Sequence, residues 1–251
     1  MFKLEDFLPK QYAEHDTAFI GRIADYYRGR LRRTGYVERD DTAQAVSTAI
    51  SHFATITAHR KTAKAPLPQP LPTKGIVLYG SYGTGKSMLL KRLSAMEDIT
   101  CRDEMKRRVA GIEYISTMKI MQNYMVDGEK WMRDFFGLHR RDFLIIDEIG
   151  SERNVKRFGS ESSMPDIIED RYESFKDFGV TTIFATNIPN REELGRVYGE
   201  RIKSRLVEMC EFVLFKGNDW RTETVESKSL REREALRRTG SFAKSGEGAE
   251  S

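Results

Sequence analysis

The chain has 251 residues, with 42 Lys and Arg against 38 Asp and Glu, a formal net charge of +4, and 39% hydrophobic residues. This composition excludes a wholly disordered chain, and no apolar run approaches the ~20 residues that span a bilayer. The opening MFKLEDFLPKQYAEHD lacks the apolar stretch of a secretory signal. Two cysteines, Cys101 and Cys210, are too few for a metal cluster or a disulfide framework, which predicts a reducing, cytoplasmic setting, and with no spanning run no membrane partner is expected.

Residues 1–64 read as a small helical region. Phe19, Ile20, Ile23 and Tyr26/Tyr27 recur at helical spacing, and a second apolar-periodic stretch covers 43–56, with Asp41 and Thr42 as its candidate caps. Pro66, Pro68, Pro70 and Pro72 then forbid helix and predict an extended linker over 65–73. From residue 74 the pattern alternates. Short apolar runs at 75–79, 111–115, 142–147, 180–186 and 212–215 are separated by helix-like segments at 87–96, 117–126, 164–178 and 191–207. That alternation predicts an α/β fold with a five-stranded parallel sheet flanked by helices. Met118, Met121 and Met125 fall at i, i+3 and i+7, and are expected to face the sheet. Residues 222–251 are charge-dense and predict a largely disordered tail.

The strongest chemical signal is Gly80-Ser81-Tyr82-Gly83-Thr84-Gly85-Lys86-Ser87, which fits G-x-x-x-x-G-K-[ST] directly after a strand and opening a helix. Glycines let the backbone turn its N–H groups toward phosphate oxygens, and the helix adds its positive end. Gly80 through Met88 are therefore the expected nucleotide cradle. Lys86 is expected on the β- and γ-phosphates of ATP, and the Ser87 hydroxyl on Mg²⁺.

A second strand ends in Asp147-Glu148, 61 positions after Lys86. Carboxyl ends of parallel strands gather at the ligand-binding edge. Asp147 is expected to hold the Mg²⁺ shell and Glu148 to position the attacking water, which favours hydrolysis over transfer to a small-molecule acceptor. Asn187 follows another strand and reaches the same edge. Arg201 and Arg205 are four apart and share a helix face. They present either an arginine for a neighbour's site or a solvated face paired with Glu200 or Glu208.

Together, LYGSYGTGKSMLL, FLIIDEIG, FATNIP, YGERIKSRL and NDWR resemble the AAA+ superfamily, and within it the DnaC/IstB-like group of helicase loaders and transposition helpers. The resemblance covers about 74–221 and implies a P-loop AAA+ core. It also implies a sensor-1 role for Asn187, a trans-acting finger at Arg205 with Arg201 second, and a sensor-2 role for Arg221. With thirty mostly polar residues after Arg221, the C-terminal lid is expected to be reduced or absent. The implied activity is a DNA-dependent ATPase that loads a replicative helicase on single-stranded DNA. A transposition helper acting with a transposase on duplex DNA is the alternative. In both, a homo-oligomer completes the ATP site in trans.

Arg28, Arg30, Arg32 and Arg33 flank two tyrosines, and Lys106, Arg107 and Arg108 precede the second core strand; both clusters are candidate DNA contacts or plain solvated faces. The charge balance favours the first of them. Residues 1–74 hold 12 basic and 8 acidic side chains, 75–221 hold 24 of each, and the tail six of each. The whole excess lies ahead of the ATPase core, so an acidic partner is expected there.

Overall fold

A computed structural model describes residues 17–62, 74–100, 112–138, 143–152 and 164–219. The 65–73 linker, Lys106, Arg107, Arg108, Arg221 and the 222–251 tail lie outside the described residues. Among the described residues twelve elements follow in order: α1 (Thr17–Arg33), α2 (Ala43–Thr62), β1 (Gly75–Tyr79), α3 (Lys86–Thr100), β2 (Glu113–Ser116), α4 (Thr117–Leu138), β3 (Leu144–Ile149), α5 (Met164–Phe178), β4 (Thr182–Thr186), α6 (Arg191–Tyr198), α7 (Glu200–Met209) and β5 (Cys210–Leu214). No described helix is long and apolar enough to cross a membrane.

The five strands form one parallel sheet in the order β2-β3-β4-β1-β5. Their side chains alternate between two buried faces, as strands enclosed on both sides require. Ile76, Leu78, Ile145, Ile183 and Val213 point to one face, where they meet α1, α2 and α3. Val77, Leu144, Ile146 and Phe184 point to the other, under α4, α5, α6 and α7. Each face is sealed by aliphatic packing worth roughly 25 cal/mol per Å² of apolar surface withdrawn from water.

The two N-terminal helices therefore share the core of the sheet. Phe53 of α2 is fully buried, its ring centroid 5.2 Å from Phe143 at the entry to β3 and 6.3 Å from Tyr27 of α1. Tyr27 also shares a 2.8 Å hydrogen bond with Thr57. The hydroxyl of Thr42, placed just before α2, turns back to the Arg39 carbonyl at 3.1 Å and accepts the Arg39 N–H at 3.3 Å, closing the turn that precedes the helix.

One expectation changes. Met118 and Met125 are exposed, and only Met121 packs on the core. Thr117 and Ile120 take the inward positions of α4, so the buried stripe is rotated by a residue from the methionine spacing. The helix also breaks at Gly128, whose φ of 58° and ψ of −144° leave helical space.

Since α2 belongs to the same core as the sheet, Phe53→Ala is expected to lower stability by about 3–5 kcal/mol. Chemical denaturation followed by circular dichroism checks this. A single cooperative transition, shifted as a whole, is the expected form; two separate transitions would show that the N-terminal helices fold apart from the sheet.

Candidate nucleotide site

The loop between β1 and α3 turns through Gly80, Gly83 and Gly85, at φ of 140°, 70° and 100°. These left-handed values suit glycine alone among common residues. At Gly83 the constraint is also one of space, because a Cβ would meet the Asp219 carboxylate at 1.9 Å. The segment following β5 thus lies directly against the loop. Thr84 Oγ1 donates to the Ser81 carbonyl at 3.1 Å and braces the turn.

Lys86 is almost wholly buried. Its Nζ donates to the carbonyls of Gly80 at 2.9 Å and Ser81 at 2.7 Å, and lies 3.3 Å from Thr84 Oγ1. Burial lowers its pKa from the ordinary lysine value to about 8, against an opposing pull from Asp147. A cation held by neutral oxygens in a desolvated loop is electrostatically under-compensated, and an anion entering the cleft corrects that.

Asp147 is likewise buried at the carboxyl end of β3. Its Oδ2 accepts from the Tyr114 hydroxyl of β2. Its Oδ1 accepts the Glu148 N–H at 2.9 Å, and its carbonyl accepts from Thr117 Oγ1 at 3.0 Å. Burial, and next the bond to Asp147, push the Tyr114 phenol pKa upward, so it stays a donor.

Glu148 adopts a φ of 63°, alone among the described non-glycine residues. The β3–β4 register shifts between Ile146 and Ile149 at this point. Such a conformation costs about 1–3 kcal/mol and persists only where neighbours enforce it. The enforcing bonds are visible: Thr186 Oγ1 donates to the Ile149 carbonyl at 2.7 Å and accepts the Ile188 N–H at 3.1 Å. The irregular strand end turns Glu148 into a cleft of about 450 Å³ shared with Tyr82 to Met88, Ser151 and Asn187.

The structure thus brings the phosphate loop, Glu148 and Asn187 to one cleft, with Asp147 behind it. Arg201 and Arg205 do not line it. Arg201 Nε lies 3.0 Å from Glu169 Oε1; Arg205 also pairs with Glu169, lies 3.9 Å from Glu173 and sits over the Tyr172 ring at 5.1 Å. The hydrogen bond from Arg205 holds the Glu169 carboxyl below its usual pKa. The expected partners Glu200 and Glu208 are engaged elsewhere, with Lys203 and Tyr172. Both arginines are held by acids of α5, a pairing between helices distant in sequence.

Among the N-terminal basic residues, Arg28 donates to Ser47 Oγ at 3.2 Å and lines, with Arg32, Glu38, Arg39 and Asp40, a hollow of about 480 Å³. Arg30 is half-buried and Arg33 exposed. Tyr27 is core, so only Tyr26 of the tyrosine pair is open to a stacking partner.

Sequence reasoning missed Tyr114, Ser151 and Thr186. Tyr114 lies in a β-rich run like any other strand tyrosine, and only strand pairing reveals that its neighbour ends in Asp147. The cleft fits a nucleoside triphosphate: a desolvated lysine, held by loop carbonyls, lies at a helix start beside a glycine-rich turn. Ser87 and Asp147 supply the hard oxygens that Mg²⁺ prefers alongside phosphate. Among the described residues no group of three or more His, Cys, Asp and Glu side chains converges on a metal, so the ligand's own phosphates would complete the Mg²⁺ shell.

A family described as "ATPase family associated with various cellular activities (AAA)" matches residues 76–205, just over half of the chain. The 26S proteasome regulatory subunit 6B homolog of Encephalitozoon cuniculi is 35% identical over 95 residues, 37% of this chain and 21% of that protein. The proteasome-activating nucleotidase of Methanosarcina mazei is 35% identical over 83 residues, 32% of this chain and 17% of its own length. The chain thus spans about a fifth of the curated relatives it matches. Among solved structures, DnaI is similar at TM-score 0.49 and 18% identity, over 74% of this chain and 93% of that one. The DnaC helicase loader is similar at 0.48 and 16%, over 76% and 99%.

Lys86 generates a pH prediction. With the cleft empty it loses its proton near pH 8, whereas bound phosphates favour the charged form. Above that pH binding takes up a proton, so ATP affinity is expected to weaken as pH rises, by up to tenfold per unit. Titration with a fluorescent ATP analogue from pH 6.5 to 9.5 checks it. A flat profile would contradict the role of Lys86.

Proposed function

The chain belongs to the ATPase family associated with various cellular activities, and from that premise we propose that it is a Mg²⁺-dependent ATPase whose nucleotide cycle loads or remodels a replicative helicase on single-stranded DNA. The observation that carries the ATPase reading is the single cleft holding Lys86, Ser87, Glu148 and Asn187 together. The helicase-loading reading is supported by the DEIG, TN, GERIKSRL and NDWR motifs. The basic α1 end, with Arg28, Arg30, Arg32 and Arg33, is the proposed place for an acidic partner or DNA.

In this reading, Lys86 balances the β- and γ-phosphate charge, and Ser87 and Asp147 would hold Mg²⁺. Bound Mg²⁺ would supply charge neutralisation across the terminal phosphates. Glu148 takes a proton from the water that attacks the γ-phosphorus, as the bond to ADP breaks and phosphate leaves. Asn187 orients that water through its amide. Arg205 leaves its α5 partners to reach the site of a neighbouring copy, Arg201 stands second to it, and Arg221 reads the γ-phosphate in cis. Hydrolysis takes place in an oligomer in the cytoplasm.

Glu148→Gln is expected to keep ATP binding while lowering kcat about 10²–10⁴-fold. Arg205→Ala is expected to lower it by about 10³-fold or more. Specific activity of the unaltered chain should rise with protein concentration. Steady-state phosphate release measures all three, and a rate strictly proportional to protein and indifferent to Arg205→Ala would remove the trans role. For the partner, co-purification with a hexameric helicase, and ATPase stimulation by single-stranded DNA, are expected. Capture of a transposase with stimulation by duplex DNA would replace the helicase reading with the transposition one.

A further inference from the structure

We propose that Glu152 and Tyr198 are positioning residues that bolt the turn carrying Glu148 to the α6–α7 junction, so that the hydrolytic carboxylate and the arginine-bearing helix α7 respond to nucleotide as one unit. The inference rests on the ATPase reading above and concerns residues that take no part in binding phosphate.

Glu152 is only 6% exposed. A buried carboxylate needs its oxygens satisfied, and this one spends them on two different parts of the fold. Oε2 accepts the Gly150 N–H at 2.9 Å, and Oε1 accepts from the Tyr198 hydroxyl. The first bond fixes the turn two residues after Glu148. That turn has no slack: Gly150 sits at φ 92°, where a Cβ would lie 2.7 Å from Ile188 Cδ1. With the Thr186 bond to the Ile149 carbonyl, it helps enforce the left-handed backbone of Glu148.

The second bond reaches another element. Tyr198 is the last residue of α6, and the next, Gly199 at φ 90°, begins the turn into α7. Arg201 and Arg205 lie three and seven residues beyond Tyr198. One carboxylate therefore spans the short path from the cleft wall, where Ser151 is its chain neighbour, to the helix that bears the candidate trans-acting arginines. A charge-assisted pair of bonds in a water-poor setting is stiff enough to carry a shift of one end to the other.

Tyr198→Phe removes one hydroxyl and keeps the ring. Hydrogen exchange with mass spectrometry, with and without a non-hydrolysable ATP analogue, reads the coupling without relying on turnover. In the unaltered chain the analogue should slow exchange in both 147–152 and 199–206. In Tyr198→Phe it should slow only the first, while analogue affinity is retained and kcat falls about tenfold. Glu152→Gln, which leaves one acceptor oxygen for two donors, should show the same separation and serves if Tyr198→Phe folds poorly. Equal slowing of both segments in the variants, with normal binding, overturns this inference alone, as does an unchanged kcat accompanied only by lower stability. Failure of the unaltered chain to bind the analogue overturns the ATPase reading and this inference with it.

Discussion

The site depends on one electrostatic arrangement, a lysine buried at the helix start that follows β1 and an aspartate buried near the carboxyl end of β3, strands that lie two places apart in the sheet. Neither charge is stable in a dry interior without partners. Lys86 finds carbonyl oxygens of its own loop, Asp147 finds a phenol and an amide, and each feels the other's field. The strand order β3-β4-β1 sets Glu148 and Asn187 around the same opening. A triphosphate with Mg²⁺ would supply both signs of charge that this pair calls for.

The other constraint is the double covering of the sheet. A buried parallel sheet needs helices on both faces, and here α1 and α2 close one of them together with α3. The basic residues ending α1 are consequently mounted on the ATPase core itself. A partner bound at Arg28 or Arg32 would press on α1, which packs on α2, the helix that lies against β1 and β5, rather than on a tethered appendage.

Much of this was legible in the residues. The β-rich runs and the G-x-x-x-x-G-K-S pattern gave the five strands, their parallel sense and the phosphate loop, because these depend on local periodicity and a fixed spacing. Asp147, Glu148 and Asn187 were legible through their places at strand ends. The Tyr114 bond was not, since it is made between strands 33 positions apart and nothing in β2 marks it. Nor was the α5 acid pair around Arg205, since near-neighbour charge reasoning offered only Glu200 or Glu208 as the alternative to a role in a neighbour's site. The methionine spacing misled because a helix stripe admits more than one rotation, and Ile120 outcompetes Met118 for the inside.

The same acid cluster has a consequence for how an arginine can be lent. Glu169 is served by two guanidinium groups, those of Arg201 and Arg205, both of which reach its Oε1. If one of them departs toward an adjoining copy, the carboxylate it leaves keeps a counter-ion. The donor surface does not become a bare negative spot that drives the newcomer away. Redundancy of cations at one glutamate would make such a loan reversible: a departing arginine would have a place to return to, and that place would stay electrically quiet in its absence.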